Sequence, residues 1–346
     1  MGSLFPKLPD EIGWEILLRV EFNSHNNLRS VCRSWKAVLK SSHFYQDRKR
    51  LKLSEQRICM IQDTSPRNGC PYDCRVRVLD PIQNIWKTLS PVPKSIGNGK
   101  GIRVNAHFLS VKQKLVFIGG WDPYTLAATK TVCLYDFSSC QWRQGTNMSR
   151  WRDQFASAAD AEGGVIYVAG GCNKFRAPLR SAAVYKVDED KWDFLPDMPT
   201  AMDGCEGAFV KGKFFVRDMY GARIQCFDPH TGTWKTMADR RNTGRIVSAF
   251  GNMYCFTSTL GLIEYNCSES KWNILGSYPT DRGMFLVNWA TVFGHNIILG
   301  TWNESSSSFV YMLVSPIRTQ GAMKLIEIEI PSGFQGFISA AATLDI

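Results

Sequence analysis

The sequence predicts a multidomain protein in which a small all-α unit of three helices precedes an all-β six-bladed propeller closed by the C-terminal strand. Three observations predict it: an apolar spacing of three and four residues up to about residue 52, short strands separated by turns after it, and a hairpin motif that recurs five times. We place the helical domain at residues 1–52 and the propeller at residues 55–346.

Two amphipathic helices and a shorter third helix account for the first domain. One helical stripe consists of Ile12, Ile16, Leu17 and Val20, and a second of Leu28, Val31, Cys32, Trp35 and Leu39. Ser42 is the expected N-cap of the third helix. Three helices of this length enclose little apolar surface, so we expect an apolar face to be left over for a partner.

Five predicted strands end in an apolar residue, and in each case a tryptophan lies seven positions later in the sequence. The pairs are Leu79 and Trp86, Tyr135 and Trp142, Tyr185 and Trp192, Phe227 and Trp234, and Tyr265 and Trp272. The residues between them are turn formers, as in 228–232, so each pair marks a strand, a tight turn and a strand. We expect the five tryptophans to be core residues between blades.

Strands that end in paired glycines, at 117–120 and 167–171, precede two of these hairpins. Each complete unit therefore holds four strands over 38 to 56 residues between successive tryptophans, which fits a propeller blade. The count is six blades, with 323–326 in place of the sixth tryptophan strand. The segment 337–342 is similar to 155–159, which opens the third blade, so we expect it to complete the first blade and close the ring.

Charge, apolar run length and cysteine content argue against several classes of function. The formal net charge is +10, and residues 1–52, with ten Lys or Arg and five Asp or Glu, carry half of it, so the propeller is not expected to bind nucleic acid by charge alone. The apolar runs are too short to span a bilayer, and the eleven cysteines lack paired CxxC motifs. We therefore expect no membrane association, no metal and no cofactor, and a cytoplasmic or nuclear environment with reduced thiols.

Two sets of motifs indicate a family. The segment Leu8-Pro9-Asp10-Glu11, followed by Leu28, Val31-Cys32-Arg33 and Trp35, resembles the F-box, and the paired glycines with the aromatic-to-tryptophan spacing resemble kelch repeats. The whole chain resembles plant-type F-box/kelch-repeat proteins. The resemblance implies that the F-box docks on a Skp-type adaptor, and through it on a cullin and a RING subunit. The propeller would hold a target protein for ubiquitination and proteasomal degradation.

The resemblance also suggests targets and contact residues. Similar plant proteins are associated with the turnover of phenylpropanoid enzymes, notably phenylalanine ammonia-lyase, and of cytokinin response regulators. The candidate adaptor-binding residues are Leu8, Pro9, Ile12, Leu17, Val31, Cys32 and Trp35. The alternative for them is an ordinary three-helix core.

Arginines recur in the segments that connect blades or follow the glycine-pair strands. Guanidinium groups around a concave mouth favour an acidic or phosphorylated ligand. The candidate substrate-binding residues are Arg103, Arg152, Arg176, Arg223, Arg245 and Arg282, with the aromatic anchors Trp121 and Trp151 and, beside them, Tyr124, Phe175 and Trp302. The alternative is that these arginines brace neighbouring blades.

A catalytic role is the competing class, because kelch folds include copper oxidases. The five histidines have no short metal-ligand spacing, and no GxSxG motif supports a serine nucleophile. We therefore expect a non-catalytic receptor that brings substrate lysines close to a recruited conjugating enzyme. A kelch scaffold without a ligase role and a kelch-type oxidase are the alternatives. The basic run 48–52 is expected to be a solvated helix end, with a nuclear signal as its alternative.

Overall fold

The computed structural model describes residues 3–64, 73–99, 101–219, 223–238, 244–257, 261–277, 286–303, 308–315, 325–334 and 336–346. Over these ranges the chain forms an N-terminal group of helices followed by six antiparallel sheets of four strands each. None of the helices in these ranges has the length and apolar character needed to cross a bilayer. The predicted fold class, helices followed by a six-bladed propeller, is confirmed.

Within the described residues, the N-terminal unit, which we call the head, contains four α-helices and a 3-10 turn: Asp10–Leu18 (α1), Phe22–Ser24 (the 3-10 turn), His25–Val31 (α2), Arg33–Val38 (α3) and Ser42–Arg50 (α4). The predicted second helix is divided, because Cys32 has an extended backbone (φ −155°, ψ 169°). The Cys32 thiol accepts the amide N–H of Trp35 and so caps α3. Ser41, rather than Ser42 as expected, caps α4 by accepting the amide N–H of Phe44.

The described strands are numbered in chain order. Their bounds are Gln56–Asp63 (β1), Cys74–Asp80 (β2), Ile85–Thr88 (β3), His107–Val111 (β4), Lys114–Ile118 (β5), Val132–Asp136 (β6), Gln141–Gly145 (β7), Ala156–Asp160 (β8), Val165–Ala169 (β9), Ala182–Lys186 (β10), Lys191–Leu195 (β11), Cys205–Val210 (β12), Lys213–Asp218 (β13), Arg223–Asp228 (β14), Thr233–Ala238 (β15), Gly244–Ala249 (β16), Asn252–Thr257 (β17), Gly261–Asn266 (β18), Lys271–Gly276 (β19), Leu286–Phe293 (β20), Asn296–Asn303 (β21), Ser308–Val314 (β22), Leu325–Ile328 (β23) and Ile338–Asp345 (β24).

Blade one consists of β24, β1, β2 and β3 from the inside outward, and each later blade takes four consecutive strands in the same order. The innermost strands of successive blades contact one another in a ring, from β24 to β4, β8, β12, β16 and β20 and back to β24. Each blade therefore packs face to face with its two neighbours around a common axis.

The C-terminal strand closes the ring, as predicted. It pairs antiparallel with β1, with Cys59 opposite Ala342. Beyond this pairing, the backbones of Glu55 and Ile346 exchange two N–H···O hydrogen bonds of 2.8 and 3.0 Å. Blade one is thus assembled from both ends of the propeller sequence, and its β1 strand is paired on both sides rather than left as an open edge.

Paired glycines let the second strands of blades two and three end against a neighbouring backbone. Gly120 and Gly171 have φ values of 80° and 79°. A Cβ on Gly171 would lie 2.3 Å from the Asp153 carbonyl oxygen, and one on Gly120 would lie 2.7 Å from the Val104 carbonyl oxygen. Both the positive φ and the close approach require glycine at these positions.

The repeated tryptophans lie at the start of the outermost strands and pack against the apolar clusters between blades. They are half-buried there, so they lie at the margin of the core rather than fully inside it as expected. Trp192 stacks on Tyr185 with ring centroids 4.8 Å apart, and its indole N–H donates to the Thr146 carbonyl at 2.8 Å. Trp142 and Trp234 donate in the same way to the links before their own blades. These three indoles tie an outer strand to the link from the preceding blade, and the outer position leaves part of each ring in solvent.

The core of the head is continuous with the core of the propeller. Leu17, Leu39 and Phe44 are buried in one apolar cluster that also contains Cys59 of β1 and Leu344 of β24. Burial of a continuous apolar surface resists separation of the two units, because pulling them apart would expose it to water. The head therefore has a defined position on the propeller.

Candidate functional site

An apolar stripe on the head faces solvent. Leu8, Ile12 and Ile16 are spaced four residues apart along α1 and the turn before it, and all three are exposed. Ile16 is 41% exposed, whereas its neighbour Leu17 is 1% exposed and belongs to the shared core. Because no residue in the described part of the chain covers the stripe, it is a surface that a partner can bury.

Other predicted adaptor-binding residues lie near the break between α2 and α3. Val31 and Cys32 are exposed there, and Pro9 is exposed immediately before α1. Trp35 is half-buried, and its indole N–H donates to the Leu4 carbonyl at 2.7 Å. Trp35 therefore holds the N-terminal segment and leaves only part of its ring to a partner.

Leu17 requires a correction, because it was predicted as an adaptor contact and is inaccessible. Its side chain fills the shared core between head and propeller. Ile16, which the predicted set omitted, has its side chain in solvent instead. The sequence places both residues on one broad stripe, and only tertiary packing separates them.

A groove of 480 Å³ lies between α1 and α3. Its walls are Leu4, Asp10, Trp14, Arg33, Ser34, Ala37, Val38 and Ser41. Gly13 makes room for the N-terminal segment on this side of α1, because a Cβ on Gly13 would lie 2.8 Å from the Phe5 ring. The amide of Leu4 donates to the Asp10 carboxylate at 2.9 Å. The head thus presents an exposed stripe and a preformed groove.

A buried polar network fixes the head on blade one. Arg48 donates to two carbonyls at the end of α1 and pairs with Glu55 at 2.9 Å. Glu55 also pairs with Arg57, whose guanidinium lies 3.0 Å from the Asp80 carboxylate. The basic run 48–52, expected to be a solvated helix end, therefore begins with a fully buried arginine.

Arg29 extends the same attachment to blade two. Its guanidinium donates to the Tyr45 hydroxyl at 2.9 Å, the Phe137 carbonyl at 3.2 Å and the Cys140 thiol at 3.0 Å. Phe137 and Cys140 lie in the turn between β6 and β7. The head is therefore held by two blades, which prevents it from pivoting about a single contact.

The head and the glycine-pair loops lie on opposite faces of the propeller. Strand direction alternates within an antiparallel blade, so the turns between third and fourth strands lie on one face. The loops between second and third strands and the links between blades lie on the other, which we call the loop face. The head contacts the first kind of turn, through Asn23 to Asp80 at 3.3 Å and through Arg29 to Phe137. The loop face is therefore turned away from the head.

Two predicted substrate-binding arginines are buried. Arg152 is 4% exposed and donates to the carbonyls of Gly170 and Ser181 at 2.6 and 2.8 Å. Arg103 is buried as well and donates to the Gly97 carbonyl at 2.6 Å. Donors used on internal carbonyls are not available to a ligand. These two arginines brace the propeller, which corrects the prediction that they bind a substrate.

Two further arginines are exposed but paired. Arg176 lies 3.0 Å from the Asp153 carboxylate, and Arg245 lies 3.1 Å from that of Glu206. Burial raises the pKa of Glu206, although Arg245 and the buried Arg217 act in the opposite direction. The carboxylates compensate much of the positive charge, so the mouth is not the ring of free guanidinium groups that the sequence predicted.

The remaining candidate substrate-binding residues are Arg223, Arg282 and Trp302. Arg223 is exposed at the start of β14. Arg282 and the side chain of Trp302 lie outside the part of the chain that the structure describes.

A cavity of 530 Å³ lies on the propeller axis, lined by the innermost strands of all six blades. In its wall His107 stacks on Phe155 at 3.7 Å and hydrogen-bonds the Ser157 hydroxyl at 2.7 Å. Burial, followed by the charges of Arg245 and Arg152, lowers the pKa of His107 to about 3. Among the described residues no three His, Cys, Asp or Glu side chains converge as metal ligands.

A groove of 390 Å³ opens on the loop face between blades two and three. It is lined by Trp121, Leu126, Ala127, Ala128, Trp151, Asp153, Asn173, Lys174 and Arg176. The Trp121 indole donates to the Asp153 carboxylate at 2.9 Å and is half-buried, whereas Trp151 is exposed. The structure therefore brings both predicted aromatic anchors and Arg176 together. We call this the aromatic groove.

Two segments of the chain match known family models. Residues 5–47 match the model of the F-box domain, and residues 163–199, which include β9 to β11 and a glycine pair, match the Kelch motif. The chain is 32% identical to F-box/kelch-repeat protein At1g80440 of Arabidopsis thaliana, over 81% of this chain and 83% of that protein. It is 30% identical to F-box/kelch-repeat protein SKIP20 of the same plant, over 96% of this chain and 94% of that protein.

Proposed function

The chain belongs to the F-box/kelch-repeat family, and we therefore propose that it is the substrate-recognition subunit of a Skp–cullin–F-box ubiquitin ligase. Its head docks on a Skp-type adaptor, which connects it to a cullin and a RING subunit, and its propeller holds a target protein. The observation that carries this proposal is the pair of open surfaces: the stripe of Leu8, Ile12 and Ile16 on the head, and the loop face on the far side of the propeller.

In this role the chain acts through geometry rather than through chemistry of its own, so we propose that it is not an enzyme. A bound target is kept at a high effective concentration near the conjugating enzyme that the RING subunit recruits. The network of Arg48, Glu55, Arg57 and Asp80, together with Arg29, fixes the head on the propeller. The distance from adaptor to target is then set by packed structure instead of a flexible linker.

Adaptor binding is the first test. The double variant Leu8→Ala, Pro9→Ala removes exposed apolar contacts. We expect it to lose co-purification with a recombinant Skp-type adaptor, while its circular dichroism and thermal transition stay those of the wild type. Ile12→Ser with Ile16→Ser gives a second, independent variant of the same stripe. Leu51→Ala is the matched control, since Leu51 is an exposed apolar residue of the head that lies after α4.

Retention of the adaptor at the wild-type level by both stripe variants would contradict the receptor role. It would favour the alternative of a kelch scaffold without a ligase function. Loss of the adaptor by Leu51→Ala as well would show that the effect is not specific to the stripe.

For the targets we propose plant proteins acting in the cytoplasm or nucleus, namely phenylpropanoid enzymes such as phenylalanine ammonia-lyase, or cytokinin response regulators. The resemblance to plant F-box/kelch-repeat proteins supports this. Affinity purification with the proteasome blocked, comparing wild type with the Leu8→Ala, Pro9→Ala variant, tests it. We expect the target to accumulate on both proteins and to be ubiquitinated only with the wild type; if neither class of protein is enriched, these targets are excluded.

A further inference from the structure

Two loops on the loop face are built in the same way, and each exposes an aromatic ring. The Asp122 carboxylate accepts the amide N–H of Tyr124 at 3.0 Å, and the Asn173 side-chain oxygen accepts that of Phe175 at 2.9 Å. Asn173 also accepts the amide of Ala177 at 3.1 Å. These Asx turns hold the loop backbones in one conformation. Both rings, two residues after the turn-forming side chain, are exposed.

The aromatic groove exposes apolar side chains of its own, next in sequence to one of these rings. Trp151 and Leu126 line the groove and are exposed. Phe175 follows the lining residue Lys174 and is 77% exposed. Clustered aromatic residues that stay in water on rigid loops add nothing to the core, and such patches are typical of interaction sites.

The floor of the groove is preorganised. Asp153 accepts the Trp121 indole N–H at 2.9 Å and pairs with Arg176 at 3.0 Å. The backbones of Asp153 and Cys172 also exchange hydrogen bonds of 3.0 and 2.8 Å between the blade link and the loop. A surface whose side chains are already oriented loses less conformational entropy when a ligand binds.

The uncompensated charge at the groove is positive. The Lys174 ammonium lies 4.9 Å from the Phe175 ring centroid, and that of Lys130 lies 6.0 Å from the Trp151 ring centroid. Over the described ranges neither lysine forms an ion pair, whereas the lining carboxylate of Asp153 is already paired. The exposed rings of Phe175 and Trp151 therefore each have a cation beside them that a ligand carboxylate can contact while an apolar group packs on the ring.

We propose that the aromatic groove docks a short segment of the target protein in which a large apolar side chain is flanked by carboxylates. The inference rests on the proposed receptor function and names the ligand class of its loop face. The apolar side chain packs among Trp121, Leu126 and Trp151, and the carboxylates contact Lys130 and Lys174. Charge complementarity favours this occupant over a basic segment or a second copy of this chain, whose net charge is +10.

A random dodecapeptide library displayed on phage and selected on the full-length protein in complex with its Skp-type adaptor tests the inference. We expect enrichment of peptides that carry Leu, Phe or Trp beside Asp or Glu. The consensus peptide, labelled with fluorescein, then gives affinities by fluorescence anisotropy. Trp151→Ser with Leu126→Ser should weaken binding by about tenfold or more, because both side chains line the groove and aromatic anchors such as Trp151 dominate interface energies. Lys174→Glu should weaken it as well, and Lys174→Arg should restore it.

Phe194→Ser is the matched control, since Phe194 is 72% exposed on β11 of the same blade but does not line the groove. We expect it to bind the peptide with wild-type affinity. The inference is overturned if the selected peptides lack acidic residues, or if the double variant binds the consensus peptide with wild-type affinity.

A change of oligomeric state in the double variant, measured by size-exclusion chromatography, would identify a second copy as the occupant and would also overturn the inference. Adaptor co-purification in the same samples reports separately on the receptor function, because it depends on Leu8 and Pro9 rather than on the groove. Loss of peptide binding with the adaptor retained therefore concerns the groove alone.

Discussion

The guanidinium of Arg48 lies 2.9 Å from the carboxylate of Glu55, and this pair joins the last helix of the head to the segment that enters the first strand. Glu55 also accepts the backbone amide of Phe22 at 2.7 Å and pairs with Arg57. One carboxylate thus organises contacts from both units. Its partners are buried, which makes the junction sensitive to the loss of any one of them.

We expect Arg48→Met to lower the free energy of unfolding by about 3–5 kcal/mol, because it removes one of the two arginines that pair with Glu55 and the buried donor to the Leu18 carbonyl. Chemical denaturation measures this. Arg50→Met on the same helix is the control: Arg50 pairs with Asp47 but is exposed, so its loss should cost less than about 1 kcal/mol. Equal effects of the two substitutions would argue against a special role for the buried pair.

Substitutions at two neighbouring residues of α1 should affect stability and adaptor binding separately. Leu17→Ala should cost about 2–5 kcal/mol of stability because it opens a cavity in the shared core. Ile16→Ala should change stability little and weaken adaptor binding. Denaturation and adaptor titration on both variants measure the difference, and a stable Leu17→Ala protein that loses the adaptor would reverse the assignment.

The arginines of the propeller should divide in the same way. Arg152→Met should lower the melting temperature, because it leaves the Gly170 carbonyl without a donor, at about 1–3 kcal/mol for one unsatisfied group. The Ser181 carbonyl keeps the Gly170 amide as a donor. Arg176→Met removes a mostly exposed ion pair and should change stability by less than about 1 kcal/mol. Differential scanning calorimetry compares them. A wild-type melting temperature for Arg152→Met would refute the bracing role.

Stability should fall as pH decreases below 7, in part because of His25. Burial, and then the charge of Arg48, lowers the pKa of His25 from 6.5 to about 4. The unfolded chain therefore binds a proton at His25 more tightly than the folded chain does. The contribution of neutral His25 to the free energy of unfolding is complete above pH 6.5 and is lost progressively toward pH 4. At pH 5 the loss is about 2 kcal/mol. The free energy of unfolding, measured with urea, should differ between pH 7 and pH 5 by that much less in His25→Gln than in the wild type. An unchanged difference would exclude His25 as the cause.

The repeated tryptophans should contribute through their indole N–H groups. Trp192→Phe keeps the stacking on Tyr185 but removes the hydrogen bond to the Thr146 carbonyl, and should cost about 1 kcal/mol. Trp151→Phe, at an exposed position, is the control and should leave the free energy of unfolding unchanged. Denaturant titration distinguishes them, and equal stability of both variants would show that the link is held by other contacts.

Patterns in the sequence are sufficient to predict the architecture of this protein. The helical spacing before residue 52 and the hairpins that contain the tryptophans Trp86 to Trp272 are local patterns, each formed by residues close together along the chain. A blade is built from such local hairpins, so the five tryptophan hairpins and the segment 323–326 in the sixth place together predicted six blades. Closure by the C-terminal strand followed from the same repeat, because the first blade lacked one strand.

Which side chains are accessible depends on tertiary packing. Ile16 and Leu17 occupy one helical stripe, yet only Leu17 is enclosed in the shared core; Arg152 and Arg176 are both loop arginines, yet only Arg152 is buried. Arg48 is part of a basic run and is nevertheless enclosed. The exposure of a side chain depends on the distant segments that pack over it, and those long-range neighbours leave no periodic pattern in the sequence that surrounds the residue.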